Sequence, residues 1–362
     1  MTPLSRILRR QIEVSGPITV AEFMAAGLLH PDHGYYMQEN PIGFRGDFVT
    51  APEISQMFGE LIGLWCTVAW RQMGSPSTVM LVELGPGRGT LMADALRAMR
   101  MAPDFLECAD VHLVEASPKL RACQREVLTV HGVEWHRGLE DIPDGPILLI
   151  ANEFLDTLPI RQLVRRDHGW HERLVDCDDD GFRFVLDPTP STLVALLPQT
   201  LAEEAPQESV VEISPAVLGV ASTVAQRITH AGGAALFVDY GHAETRPGDT
   251  LQAVREHRYA DVLSEPGFSD LTAHVDFGAF CRAADGVAIH GPVDQGVFLK
   301  RIGIEERGRK LIEVAVDQRE SIERALSRLT DLDEMGQLFK VVAFTERDLP
   351  VPAGFEAKGY IS

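Results

Sequence analysis

Most of the features that would fix a function at once are missing from this chain of 362 residues. Its five cysteines, Cys66, Cys108, Cys123, Cys177 and Cys281, are dispersed, odd in number and never spaced CxxC. That excludes a disulfide framework and a zinc knuckle, and implies a reducing compartment. Basic residues are scarce: 33 Lys plus Arg against 53 Asp plus Glu leave a formal net charge of −20 at pH 7. A nucleic-acid backbone would be repelled over most of such a surface, so no nucleic-acid partner is expected. No apolar run reaches the roughly 18 to 20 residues that span a bilayer, so no membrane insertion is expected. The first residues, MTPLSRILRRQIEVSGPI, lack an apolar signal core, and their Arg-rich start imitates a transit peptide only until Glu13. The expected location is cytoplasmic. Internal repeats and low-complexity segments are absent too.

What is present is a hydrophobic content of 45%, ample for a core in one large α/β domain or two smaller ones. From Val79 the pattern alternates: VMLVELG, TLMADALRAMR, DVHLVEAS, PKLRACQREVLTVHG, VEWHRG, GPILLIANEF. The strand-like runs are continuously apolar, as in a parallel sheet covered by helices on both faces. After Phe154 the rhythm shifts to antiparallel ribbons with turns at Asp167–Gly169 and Asp178–Gly181, then returns with the helical PAVLGVASTVAQRITHAGG and the strand AALFVDYG. A second inserted stretch from His242 to Leu332 reads as mostly helical, before a last strand FKVVAFTER. The expected organisation is a helical and loop-rich N-terminal region over 1–75, then one α/β domain over 76–362 with insertions at about 160–208 and 242–332.

The loop Gly85-Pro86-Gly87-Arg88-Gly89 poses the ligand question. It lacks the lysine and spacing of a P-loop, and Gly89 falls one residue short of the dinucleotide fingerprint GxGxxG. Glu83 just inside the strand would sit poorly beside a pyrophosphate. S-adenosylmethionine carries an ammonium, a carboxylate and a sulfonium but no phosphate, and an acid beside bare backbone amides suits it. Glu83, Gly85, Pro86, Gly87 and Gly89 are therefore candidate cofactor contacts. Glu115, at the carboxyl edge of the next strand with Ser117 close behind, is placed to accept hydrogen bonds from the ribose hydroxyls. Asn152, Glu153 and Asp156 follow the fourth strand, where reactants meet in a doubly wound sheet; an N-cap and first helical turn is the alternative reading.

With these residues in hand, the sequence resembles the MidA-like S-adenosylmethionine-dependent methyltransferases, the group containing the mitochondrial complex I assembly factor that methylates an arginine. The matching strings include GPITVAEFM, HPDHGYYM, GDFVTAPEISQMFGELIGLW, ELGPGRGTLM, VEASPKLRACQ, NEFLDTLPIRQ, PGFSDLTAHVDF and QGVFLKRIGI, in order over nearly the whole chain. The resemblance implies a Rossmann-like class I methyltransferase fold, transfer to a protein arginine, and a client among the subunits of respiratory NADH dehydrogenase.

Arginine is a poor nucleophile because its guanidinium stays charged and delocalised. Carboxylates that grip it can localise the charge and leave one nitrogen aimed at the methyl. Glu153 and Asp156 are the expected clamp, Glu153 first, with Asn152 as a neutral orienter. Thr50, Pro52 and Glu53, together with Gly46, Asp47, Ser55 and Gln56, suit a lid folding over bound cofactor, or simply a helix start with Pro52 in its first turn. Asp270, Thr272, His274 and Asp276 resemble a metal set, but on a helix that spacing does not converge, so no metal is expected. His274 either lines the arginine entrance, relays a proton, or is an ordinary helix residue. The competing classes are a cofactor-binding assembly chaperone without catalysis and a small-molecule methyltransferase.

Overall fold

The computed structural model describes residues 2–37, 50–129 and 132–355. Its N-terminal part holds helices α1 (Pro3–Ser15) and α2 (Val20–Leu29) flanking a short strand β1 (Ile18–Thr19), then α3 (Ala51–Ile54) and α4 (Gln56–Gln72). Thr19 and Glu22 cap α2 reciprocally, each satisfying an amide the helix start leaves open.

The central unit begins with β2 (Val79–Leu84), α5 (Thr90–Met99), α6 (Pro103–Cys108), β3 (Ala109–Val114), α7 (Pro118–Val127), β4 (Val133–His136) and β5 (Ile147–Asn152). It is interrupted by the ribbon β6 (Arg161–Arg166), β7 (Gly169–Asp178), β8 (Gly181–Pro190), α8 (Gln199–Glu204) and β9 (Val210–Ile213). It resumes with α9 (Pro215–Ala231) and β10 (Gly233–His242). The order of the sheet is β15-β16-β10-β5-β2-β3-β4, where β15 (Ala288–Asp294) and β16 (Phe339–Thr345) close one side. β10, β5, β2, β3 and β4 run parallel, β16 runs against them, and β15, antiparallel to β16, points the same way as the parallel strands. Both faces are covered, as the unbroken apolar strands required: Leu81, Leu148 and Leu236 pack under α4 and α5, while Val82, Leu149 and Phe237 pack under α9. Gly63 lets α4 lie on α5, since a Cβ there would come within 2.6 Å of the Ala95 carbonyl. Strand β1 pairs with β7, so the N-terminal helices share a small core with the ribbon.

The stretch after His242 departs from expectation. TLQAVREHR is a strand and turn: β11 (Gln252–Arg255) and β12 (Arg258–Ala260) form a hairpin turning at Glu256 and His257, both at positive φ, and β13 (Asp270–Thr272) pairs with β11. Alternation explains it, because Ala253 is buried while its neighbours Gln252 and Val254 line the cleft described below. His274 follows β13, and β14 (Val275–Asp276) extends the central sheet beside β10, so the expected helix over Asp270–Asp276 is extended chain. Helices return with α10 (Phe277–Ala283), α11 (Gln295–Arg301), α12 (Ile304–Val314), α13 (Arg319–Thr330) and α14 (Met335–Leu338).

Candidate active site

Parallel strands deliver their carboxyl ends to one edge, and there the conspicuous residues of β2, β3, β5 and β10 meet. After β2, Gly85, Gly87 and Gly89 have φ of 61°, 53° and 84°, a left-handed region open to glycine at little cost. A Cβ on Gly85 would also stand 2.7 Å from the ring of Phe154. Glu83 is 2% exposed; burial, with the Glu115 charge adding, pushes its carboxyl up to about 8. Glu115 accepts the Ser117 N–H at 2.8 Å and the Gln124 amide at 3.3 Å; burial still pushes it up to about 7.

After β5 the chain turns sharply. Glu153 has φ of 49°, strained for a non-glycine residue and a feature that clusters at functional sites. Its Oε1 accepts the Ala51 N–H at 2.8 Å and the Asn152 amide at 3.1 Å. Burial pushes the carboxyl up to about 7, Asp156 adding to the rise. The turn is held from behind by Asp239 at the end of β10: its Oδ2 accepts the N–H groups of Phe154, Leu155 and Asp156 at 3.1, 2.9 and 3.2 Å, and its Oδ1 that of Tyr240. Asp156 is raised by burial and eased back by a hydrogen bond from Tyr240.

Three cavities adjoin at this edge. One of ≈ 740 Å³ is walled by Gly85, Gly87, Glu115, Phe154 and Tyr36. A second of ≈ 400 Å³ lies against Thr50, Pro52, Glu53, Glu83, Pro86 and Asn152. The third, an open cleft of ≈ 1460 Å³, carries Asp156, Asp270, Tyr36, Tyr240, His274, Arg258 and Arg328. Glu153 stands in the wall of all three.

Of the residues singled out in sequence, Glu83, Gly85, Pro86, Gly87, Glu115, Thr50, Pro52, Glu53, Asn152, Glu153, Asp156 and His274 reach these walls. Ser117 and Gly89 do not. Ser117 caps α7 through the Leu120 N–H and donates its hydroxyl to the Tyr36 carbonyl, and Gly89 turns the chain into α5 against Gln124. Glu53 accepts the Thr90 hydroxyl at 2.5 Å and lies 3.7 Å from Arg88, which ties α3 to the glycine loop. Ser55 and Gln56 serve α4, and Gly46 and Asp47 lie outside the described residues. His274 stacks edge-on to Tyr240 at 5.5 Å, and burial, with His242 and Arg246, lowers its pKa, which disfavours its charged form. Sequence reading missed Tyr36, Phe154 and Asp270 as partners in the site. Tyr36 donates to Asp270 at 3.0 Å across 234 positions, a pairing that no local pattern encodes.

Glu83 Oε2 and Asn152 Oδ1 are buried with no hydrogen-bond partner among the described residues, and both residues wall the cavity beside the glycine loop. Buried acceptors of this kind call for a donor. The ammonium of S-adenosylmethionine would be one, and Gly85, Gly87 and Glu115 wall the adjoining cavity.

A doubly wound sheet with this edge is that of a Rossmann-like class I methyltransferase. The chain belongs to the family described as "Putative S-adenosyl-L-methionine-dependent methyltransferase", whose model matches residues 61–293. The Xenopus tropicalis protein named "Protein arginine methyltransferase NDUFAF7, mitochondrial" is 39% identical over 381 residues, covering 95% of this chain and 87% of that protein. The Homo sapiens protein of the same name is 38% identical, covering 95% and 83%. A crystal structure from Burkholderia thailandensis, bound to S-adenosyl-homocysteine, superposes with a TM-score of 0.86 at 30% identity over 98% of this chain and 95% of that one. The cofactor is S-adenosylmethionine. The cytoplasmic location expected from the sequence is overturned by these relatives, which are named as mitochondrial.

Proposed function

We propose that this chain methylates an arginine side chain of a protein client, and that Glu153 and Asp156 grip the guanidinium. The observation that carries the reading is the place of Glu153, in one wall common to the cofactor cavities and to an open cleft bearing two further carboxylates, Asp156 and Asp270. S-adenosylmethionine, when bound, supplies an electrophilic methyl on its sulfonium. The chain's own residues do the rest. Glu153 and Asp156 bind the guanidinium with charge-assisted hydrogen bonds and draw its charge to the far nitrogens. Tyr240 fixes the Asp156 carboxylate, and Asp239 fixes the turn that presents both acids. Glu83, Gly85, Pro86, Gly87 and Glu115 hold the cofactor, and Thr50, Pro52 and Glu53 cover it and exclude water. Glu153, whose carboxyl burial raises above the usual carboxylate range, is placed to take the proton the product guanidinium sheds.

The names of the relatives support the arginine assignment, and the cleft's acids support it chemically. The family resemblance directs the search for the client to subunits of respiratory NADH dehydrogenase. Incubation with labelled cofactor and a lysate rich in those subunits tests both statements. Methylarginine in a labelled protein band is the expected result. Capture of a subunit without any label replaces the enzyme with a cofactor-binding assembly chaperone, and label confined to small metabolites makes it a small-molecule methyltransferase.

A further inference from the structure

A second cluster of chemistry-bearing side chains lies on the far side of the sheet from β10. β3 and β4 are parallel neighbours, with His112 opposite Glu134 and Val114 opposite His136. Val111, Leu113, Val133 and Trp135 turn into the core beneath α4 and α5. By the two-residue period of a strand, His112, Glu134 and His136 share the other face. There His112 Nδ1 lies 2.9 Å from His136 Nε2 and 3.9 Å from Glu134 Oε2, and the three atoms fall within 4.8 Å of one another. The side chain of His112 is 4% exposed and that of Glu134 69% exposed, so the set is rooted in the sheet and opens to solvent.

We propose that His112, Glu134 and His136 form a binding site for a divalent transition-metal ion, separate from the methyl-transfer site. The donor set is two imidazole nitrogens and one carboxylate, which suits zinc, copper or nickel and not magnesium or calcium, whose ligands are oxygens. The spacing fits as well. Two nitrogens bound at right angles, each at roughly 2.0–2.1 Å, lie about 2.9 Å apart, and a tetrahedral ion asks for a few tenths of an ångström more. Glu134 swings on an exposed side chain, so it closes the remaining gap without moving the backbone. The ladder between β3 and β4 fixes all three Cα positions in advance, which is what a ligand set needs.

A histidine pair with a purely packing role fits the site less well. His112 Nδ1 and His136 Nε2 share a hydrogen bond in the ion-free chain, but two imidazoles stand on this face at strand positions where Val or Leu would pack at no polar cost, and His112 Nε2 is buried without a partner among the described residues in either case. Ligation through Nδ1 leaves the ring proton on that same Nε2, which holds the site to modest affinity. The ion would fasten the short strand β4 to β3 at a place that matters to the cofactor cavity, because the His136 carbonyl accepts the Glu115 N–H at 3.1 Å and the Arg121 guanidinium at 2.6 Å.

Titration of the full, tag-free chain with Zn²⁺ and with Co²⁺ tests this, calorimetry reading the first and visible absorption the second. The expected result is one saturable site per chain, with a cobalt spectrum of mixed nitrogen and oxygen ligation and a higher Tm in the presence of zinc. His136→Gln and Glu134→Gln change partly or fully exposed side chains, so the fold should survive. Each should weaken the site at least about tenfold and abolish the Tm rise. Mg²⁺ should do nothing. Absence of a saturable site, or equal binding by both variants and the parental chain, overturns the proposal; equal binding would locate the ion on other histidines or cysteines.

Discussion

The carboxylate of Glu153 accepts the backbone N–H of Ala51 at 2.8 Å, a bond that joins residues 102 positions apart. It ties the acid at the end of β5 to the first residue of α3, and Glu53 of that helix is in turn held by Thr90 beyond the glycine loop. The group proposed to grip substrate therefore also anchors the segment proposed to cover the cofactor. A charge change at Glu153 and a loss of its shape should have different consequences.

Glu153→Gln keeps the oxygen that accepts from Ala51 and removes the charge. Methyl transfer should fall at least about a hundredfold, while calorimetric cofactor affinity stays close to the parental value. Transfer at the parental rate would remove Glu153 from the mechanism. Glu153→Ala should damage both readouts, because Ala51 then loses its acceptor.

Glu115→Ala tests the cofactor arm. Removing a carboxylate proposed to accept from the ribose hydroxyls should weaken S-adenosylmethionine binding by roughly 1.5–3 kcal/mol per hydrogen bond. Unchanged affinity would mean that Glu115 serves only Ser117 and Gln124, its partners in the structure.

Gly87→Val places a β-branched side chain at φ of 53°, in the wall common to both cofactor cavities. The backbone strain alone is about 1–2 kcal/mol. A chain that still folds, as judged by circular dichroism, should no longer bind cofactor; retained affinity would deny the loop its role.

Glu83, Glu115 and Glu153 sit at about 8, 7 and 7 in the ligand-free chain because burial penalises their charged forms. Their folded pKa values lie above the usual carboxylate range, so the folded state holds more protons than the unfolded one between about pH 4.5 and pH 8. The stability these groups lend is fully present below that window and is lost as pH rises through it. A net positive cofactor favours the ionised acids, so its binding near pH 6.5 should release protons. Calorimetry in buffers of different ionisation enthalpy reads the release directly. Proton uptake, or none, would contradict the assignment of these acids to the cofactor cavities.

How far the sequence foretold this site depends on whether the information was local. The doubly wound sheet was legible because VMLVELG, DVHLVEAS and GPILLIANEF are unbroken apolar runs. The loop was legible because three alternate glycines between a strand and a helix leave backbone bare, which suits close approach of a ligand. The hairpin at Gln252–Ala260 was not, since four-residue strands are too short for their alternation to outweigh a helical reading of TLQAVREHR. Pairings across the fold left no trace at all. Tyr36 meets Asp270, and Asp239 collects the amides of Phe154, Leu155 and Asp156, only after the chain has folded.

Asp239 supplies the last test. With Oδ2 taking three N–H donors and Oδ1 a fourth, both oxygens must accept, and an asparagine can offer only one. In Asp239→Asn the amide nitrogen must face either the turn at Phe154–Asp156 or the Tyr240 N–H, donor against donor. Stability should drop by about 1–3 kcal/mol, the cost of a buried group left unsatisfied. Asp239 walls none of the three cavities, so its effect on turnover should pass through the placement of Glu153 and Asp156, and kcat should fall more than cofactor affinity. A purely structural role would stop there. But the charges of Asp156 and Glu153 raise the cost of ionising Asp239, and the same repulsion acts back on those two acids wherever Asp239 is ionised. Removing its carboxylate should therefore lower the apparent pKa at which the rate rises with pH. A variant that loses stability and leaves that pKa in place would reduce Asp239 to a scaffold for the turn, and the charge coupling behind the acid pair would have to be abandoned.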